Sequence, residues 1–227
     1  MENLTEIQAF RAVVVGAVDF DVKKAKEVCD FVLESDKPTS TMNINVKPTS
    51  DGIYYVMSDK TLVPIENIDL IKKEAVVGVA VKAMGHVATV ALHDAANGKD
   101  VALIDEDKEC PETPEAYRKS FKAAIADWDG KGNTDRLRPY LNPEIELKDN
   151  EYIPSVAQLH LILLFINEVN KALVAVGGDE LQAGNHWSSS EGSSYSSWTV
   201  AFNDGCTYNS GYKYFSLAVR PSVACEA

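Results

Sequence analysis

Residues 185–216 read NHWSSSEGSSYSSWTVAFNDGCTYNSGYKYFS. In this stretch 4 Tyr, 9 Ser, 3 Gly and 3 Asn make up more than half of the residues, and Glu191, Asp204 and Lys213 are its only charges. Tyr supplies a large, rigid contact area at low entropy cost, while Ser, Gly and Asn adapt their hydrogen bonding; this is the mixture that paratopes use. Ser and Gly alone would describe a flexible loop. Trp187, Trp198 and Phe202, with Val219 beyond, argue instead for a packed scaffold carrying polar residues. The alternation places Trp198, Val200 and Phe202 on one face of a strand and Thr199, Ala201 and Asn203 on the other, with Asn203-Asp204-Gly205 as a turn. The first face is expected in the core and the second outward. Leu217, Val219 and Pro221 lead toward a last strand ending near Cys225.

Upstream of this stretch, the apolar spacing changes from two to between three and four. Pro154 opens a predicted helix with Ser155 as its cap, and Val156, Leu159, Leu163, Ile166, Val169, Asn170 and Leu173 share one broad face up to Gly177-Gly178. A second helix is predicted over Glu115–Trp128, from Tyr117, Phe121, Ala124, Ile125 and Trp128 behind Thr113-Pro114. Ile53–Met57, Ala75–Lys82 and His86–Leu92 are rich in β-branched residues and read as strands, the last two joined through Ala83-Met84-Gly85. The turn residues of Pro48–Gly52 mark a boundary, so residues 1–50 form an N-terminal extension and 51–227 the main domain. One amphipathic helix is expected in the extension, at Asp21–Glu34.

The whole chain has 227 residues, 45% hydrophobic and 25% charged, which is the composition of an ordinary globular protein. Its net charge of −12 opposes binding to nucleic acid or to anionic lipid. No apolar run approaches the roughly 20 residues of a spanning helix, so membrane insertion is not expected. The opening MENLTEIQAF lacks the early cations of a signal peptide, and the expectation is a protein that is cytoplasmic when made. Cys29, Cys110, Cys206 and Cys225 are far apart and are expected to be free thiols.

Tests for chemistry fail at specific positions. Asp127–Asp135 has the aspartates and glycine of a calcium loop, but Lys131 and Arg138 occupy two ligand positions, including the bidentate one; a solvated turn is expected instead. The glycines there follow a predicted helix rather than a strand, so no phosphate loop is present. Glu191-Gly-Ser-Ser-Tyr-Ser is not a nucleophile elbow, and His86, His93, His160 and His186 are scattered. No catalytic residue, metal or cofactor is expected, and the chain is expected not to be an enzyme.

Several separate strings, in order, resemble a family. Tyr152-Ile-Pro-Ser155, Asn167–Leu173 followed by Gly177-Gly178, His186-Trp-Ser-Ser-Ser-Glu191, Trp198-Thr-Val-Ala-Phe202, Asp204-Gly205 and Val219-Arg-Pro221 are similar to a C-type lectin-like domain. More narrowly, the chain resembles the variable proteins of diversity-generating retroelements in gut bacteria and their phages. The resemblance spans about residues 50–227 and implies an α+β fold with two helices around a small mixed or antiparallel sheet. It also implies a variable region over about 185–222 that binds a ligand. Trp187, Ser188, Ser189, Glu191, Trp198, Val200, Phe202, Gly205, Val219 and Arg220 match the framework. Ser193, Ser194, Tyr195, Ser196, Thr199, Ala201, Asn203, Cys206, Tyr208, Asn209, Tyr212, Tyr214 and Phe215 match the diversified surface.

The EPN, QPD and WND triplets of calcium-dependent sugar-binding lectins are missing, and the cysteine pair of the related formylglycine-generating enzymes is not reproduced by Cys206 and Cys225. His186 stands where the family has Tyr. The resemblance implies non-enzymatic recognition of a protein or glycan on a target cell, through a surface diversified by adenine-specific mutagenesis, by a phage or prophage protein that is virion-associated or released by lysis. A fixed-sequence carbohydrate-binding adhesin module of the same fold is the alternative. Residues 1–50 could attach the protein to a virion, form a homo-oligomer or pack on the main domain.

Overall fold

The computed structural model describes residues 50–108 and 110–226. The expected helix at Asp21–Glu34 lies outside the described residues. Two strands come first, β1 (Gly52–Met57) and β2 (Leu62–Pro64), then β3 (Val76–Ala83) and β4 (His86–Ala91), and they form an antiparallel sheet in the order β2-β1-β3-β4. The β3–β4 turn is made by Met84 and Gly85, both at positive φ as a tight hairpin requires. Met84 is fully outside the core, and its N–H donates to Asp51.

Between Ala91 and residue 150 the chain is mostly loop, with two short helices. The helix expected over Glu115–Trp128 is reduced to α1 (Phe121–Ile125). Its start is fixed by Ser120, an extended residue whose hydroxyl accepts the N–H of Ala123. The residues before it are drawn off by the sheet: Arg118 N–H donates to Glu191 O, and the Trp198 indole donates to Arg118 O. The glycine-rich stretch expected to be a solvated turn is instead α2 (Gly130–Leu137), capped by Asp129, whose carboxylate accepts from Gly132 N–H. Gly130 is obligatory here, because a Cβ would lie 2.2 Å from Gln158 Oε1 and 2.8 Å from Ser155 N.

The long helix predicted from Pro154 is two helices, α3 (Val156–Leu164) and α4 (Ile166–Ala175), bent by 83° at Phe165. No proline or glycine causes the bend. Along α3 the residues Val156, Ala157, Gln158, Leu159, Leu161 and Ile162 are all buried, whereas α4 buries only Val169, Ala172 and Leu173. A helix buried all round over its first two turns and an amphipathic one cannot share an axis at the edge of one core, and the bend carries the chain from the interior to the surface. Gln158 accepts the Ser155 N–H, and Gly177-Gly178 ends α4 as expected. No single helix among the described residues is long and apolar enough to cross a membrane.

The last third holds β6 (Asn185–Glu191), β7 (Ser196–Ala201) and β8 (Thr207–Tyr212), an antiparallel sheet in that order. A two-stranded ladder joins β5 (Glu151–Tyr152) to β9 (Ser222–Val223). The architecture is thus α+β with antiparallel sheets, and it has four α-helices among the described residues rather than two. Two apolar clusters enclose the β6–β8 sheet. Trp198, Val200 and Phe202 join Val156, Leu159, Ile162 and the β3–β4 valines. Trp187 joins Leu103, Ile104, Leu137, Ile153 and Val219.

Candidate functional site

The candidate surface begins with β7, whose neighbours lie on both sides. Asn185, His186 and Trp187 pair with Ala201, Val200 and Thr199, while Thr199 and Val200 pair on the other side with Tyr208 and Thr207. Because cross-strand partners share a face, Thr199 lies on the Trp187 side of the sheet, under the second apolar cluster. Thr199 and Ala201, expected to face outward, are therefore buried, and so is Ser194. Alternation marks an exposed face only when one side of a sheet is solvated. Here neither side is, and the inward placement of Trp198, Val200 and Phe202 holds without its complement.

The remaining candidates do reach solvent. Tyr195, Asn203, Cys206, Tyr208, Asn209, Tyr212, Tyr214 and Phe215 are exposed, and Ser193 and Ser196 are half-buried. The exposed rings come from the β6–β7 tip, from β8 and from the turn beyond it. Tyr208 pairs across the sheet with Thr199 and Tyr212 with Ser196, and the register shifts between these pairs, so the two exposed rings are not related by simple strand alternation. Gly211 between them faces inward, where an added Cβ would meet Trp187 at 3.0 Å. Tyr212 and Phe215 meet edge to face, with ring centroids 5.5 Å apart. Phe215 N–H donates to Tyr212 O, and Lys213 N–H donates to Tyr195 O, which ties the strand end to the hairpin tip. A hydrogen bond with Cys206 raises the Tyr208 hydroxyl above its ordinary pKa, so the ring is uncharged at neutral pH.

Beneath these rings lies a polar layer that the sequence reading did not assemble. Lys213 and Glu191 are both buried, with Nζ 2.5 Å from Oε1. Ser188 donates to Trp198 O at 2.6 Å, Ser189 N–H to Pro154 O, and Ser190 to Asp127 Oδ2 at 2.7 Å. The Ser-Ser-Ser run is therefore framework: Ser188 ties β6 to β7, while Ser189 and Ser190 anchor the sheet to Pro154 and to Asp127. Asp127 also accepts from Asn133 and pairs with Arg118 at 3.2 Å. The Asp127 carboxylate is thus occupied by protein donors. Among the described residues no group of three His, Cys, Asp or Glu could hold a metal ion.

Burial pushes Asp127 upward, but the hydrogen bonds from Ser190, Asn133 and Arg118, with the Arg118 charge, outweigh it and hold the pKa below the ordinary carboxylate value. A folded pKa below the unfolded one stabilises the protein above the unfolded pKa of about 3.9, and this stabilisation disappears as pH falls through the depressed folded value. Asp127→Asn is expected to be less stable than the parent at pH 7 and to lose less stability between pH 5 and pH 2. Urea melts across that range check it.

Ser197 Oγ is buried with no hydrogen-bond partner. Ser197→Ala is therefore expected to raise stability by about 1 kcal/mol, read from a urea melt, because an unpaired polar atom is removed with little change of shape.

The histidines serve packing. His86 stacks on Trp128 at 3.8 Å, His186 on Phe202 at 4.2 Å, and His160 meets Thr207 Oγ1 at 2.7 Å. Burial holds His160 and His186 below the ordinary histidine value, so both are neutral at pH 7. His93 pairs with Asp179 at the surface.

No protein-family model matches the chain, and no curated protein matches it. Among solved structures, the chain is similar to a fimbrial protein from Bacteroides ovatus ATCC 8483, at 14% identity and a TM-score of 0.51. The match covers 76% of this chain and 48% of that one, so the chain spans about half the length of its structural neighbour. At that identity the likeness concerns the fold alone.

Proposed function

We propose that the chain is a non-enzymatic receptor-binding protein with a C-type lectin-like architecture, and that it recognises a protein or glycan of a target cell through the exposed face around β8. The observation that carries this reading is the exposed set Tyr195, Tyr208, Tyr212, Tyr214 and Phe215, mounted on a buried framework held by the Lys213–Glu191 pair and the hydrogen bonds of Ser188, Ser189 and Ser190. Large aromatic side chains left in solvent while serines beneath them are buried reverse the usual order of burial. Diversification by a retroelement rests on the ordered strings from Tyr152 to Pro221, and a phage or prophage origin rests on the same resemblance.

Sequencing the DNA around the gene tests diversification. The expected finding is a reverse transcriptase gene and a near-identical repeat that differs from codons 185–222 only at adenines; absence of both refutes it. Binding is tested separately. Once screening against bacterial cells and a glycan array has identified a ligand, Tyr208→Ala, Tyr212→Ala and Tyr214→Ala together are expected to weaken binding at least about 100-fold. Folding stability should change little, since the three rings are exposed. Unchanged affinity would rule out this surface.

The second reading is a fixed-sequence carbohydrate-binding adhesin module of the same fold, an adhesive role that is compatible with a structural neighbour described as a fimbrial protein. A ligand on the glycan array, with no template repeat beside the gene, would select it.

A further inference from the structure

Lys213 is wholly buried although exposed Tyr212 and Tyr214 flank it in sequence. Its Nζ donates to Glu191 Oε1 at 2.5 Å, to the Ser194 carbonyl at 3.0 Å and to Cys110 Sγ at 3.5 Å. Three ammonium hydrogens thus have three acceptors, and one of these is a nucleophilic sulfur. Cys110 is only half-buried, so a small oxidant can reach it, and its Sγ also lies 3.9 Å from Glu191 Oε1. An amine, a thiol and a carboxylate meet at one point, a combination that hydrophobic packing alone does not require.

We propose that Cys110 and Lys213 are joined by a covalent S–N bond when the protein meets a hydroperoxide. The Cys110 sulfur attacks one peroxide oxygen, the O–O bond breaks, water leaves with the thiol proton, and the sulfur becomes a sulfenic acid. Glu191 takes one proton from Lys213 Nζ. The freed lone pair attacks the sulfur, the S–O bond breaks, and the departing hydroxide removes a second proton from nitrogen as water. The sulfur loses two electrons, the peroxide gains them, and Glu191 ends as a neutral acid. No charge is stranded in the interior, because the ammonium and the carboxylate are neutralised in the same event. Burial raises the Cys110 thiol above its ordinary pKa, against the pull of Lys213, which makes the reaction slower than at a solvated thiolate and dependent on its cationic neighbour. The bond would pin the Cys110 loop to the strand end under Tyr212 and Tyr214. That consequence rests on the binding surface proposed above, whereas the bond does not.

The test treats the full chain with hydrogen peroxide and maps the products by trypsin digestion and mass spectrometry. The peptides containing Cys110 and Lys213 are expected to appear joined, lighter than their sum by two hydrogen atoms. Cleavage after Lys213 should be lost, and dithiothreitol should restore both peptides. Cys110→Ala leaves Lys213 paired with Glu191 and should be cleaved normally after treatment. The proposal is overturned by dimedone-labelled Cys110 beside a free Lys213, or by a disulfide from Cys110 to another cysteine. A bridge that retains an oxygen atom, or a Cys110 that stays reduced while exposed Cys206 is oxidised, overturns it equally. None of these outcomes bears on whether the tyrosines bind a ligand.

Discussion

Lys213→Ala is expected to lower the unfolding free energy by about 3–5 kcal/mol, measured by urea denaturation at pH 7. The loss comes less from the missing attraction than from what stays behind. Glu191 is buried, and without Lys213 its carboxylate keeps no ion-pair partner and the Ser194 carbonyl loses its Nζ donor. The double variant Lys213→Met with Glu191→Leu removes both charges and fills the space. It should recover most of the loss, since buried pairs replaced by apolar residues of similar volume are often neutral or stabilising. If single and double variants were equally unstable, the damage would lie in packing and not in the stranded charge.

Arg220→Lys is expected to cost about 3 kcal/mol in the same assay, although it preserves the charge. Arg220 is buried and uses all five of its N–H groups: Nε donates to Asp94 at 2.6 Å, one terminal nitrogen to the Ala91 and Leu92 carbonyls, and the other to those of Asp179 and Glu180. An ammonium has three hydrogens on one atom and cannot span these positions, so at least two carbonyls lose their donor, at about 1–3 kcal/mol each where they are buried. Hydrogen exchange in Arg220→Lys should rise first around residues 91–94 and 179–181. A change below about 1 kcal/mol would mean that water replaces the fork.

The sequence revealed those features that local chemistry dictates. β1, β3 and β4, the Met84-Gly85 turn, the Asn203-Asp204-Gly205 turn and the end of α4 at Gly177 depend on neighbouring residues and were legible. The bend at Phe165 was not, because it answers to the different burial of α3 and α4 and leaves no mark in the apolar spacing. Helix α2 was hidden by Gly130 and Gly132, which argue against a helix until the close approach of Gln158 is known. At the candidate site the aromatic residues were found by composition. Thr199 and Ala201 were misplaced because only the fold shows that β7 is central and covered on both faces. Lys213 and Cys110 are 103 residues apart and no spacing rule joins them.

The long tethers under the tyrosine face have one property in common. The Trp187 indole donates to Val101 O, the Trp198 indole to Arg118 O, and Arg220 to four further carbonyls. Apart from the Asp94 carboxylate, which Arg220 also holds, each fixed side chain grips an atom that every amino acid possesses. The gripped loops can therefore change their own residues without losing the grip, and such a scaffold can drift around a constant frame. Its tolerance to mutation is written in the acceptors: two tryptophans, one arginine and Asp94 must stay, and the rest of what they hold need only have a backbone.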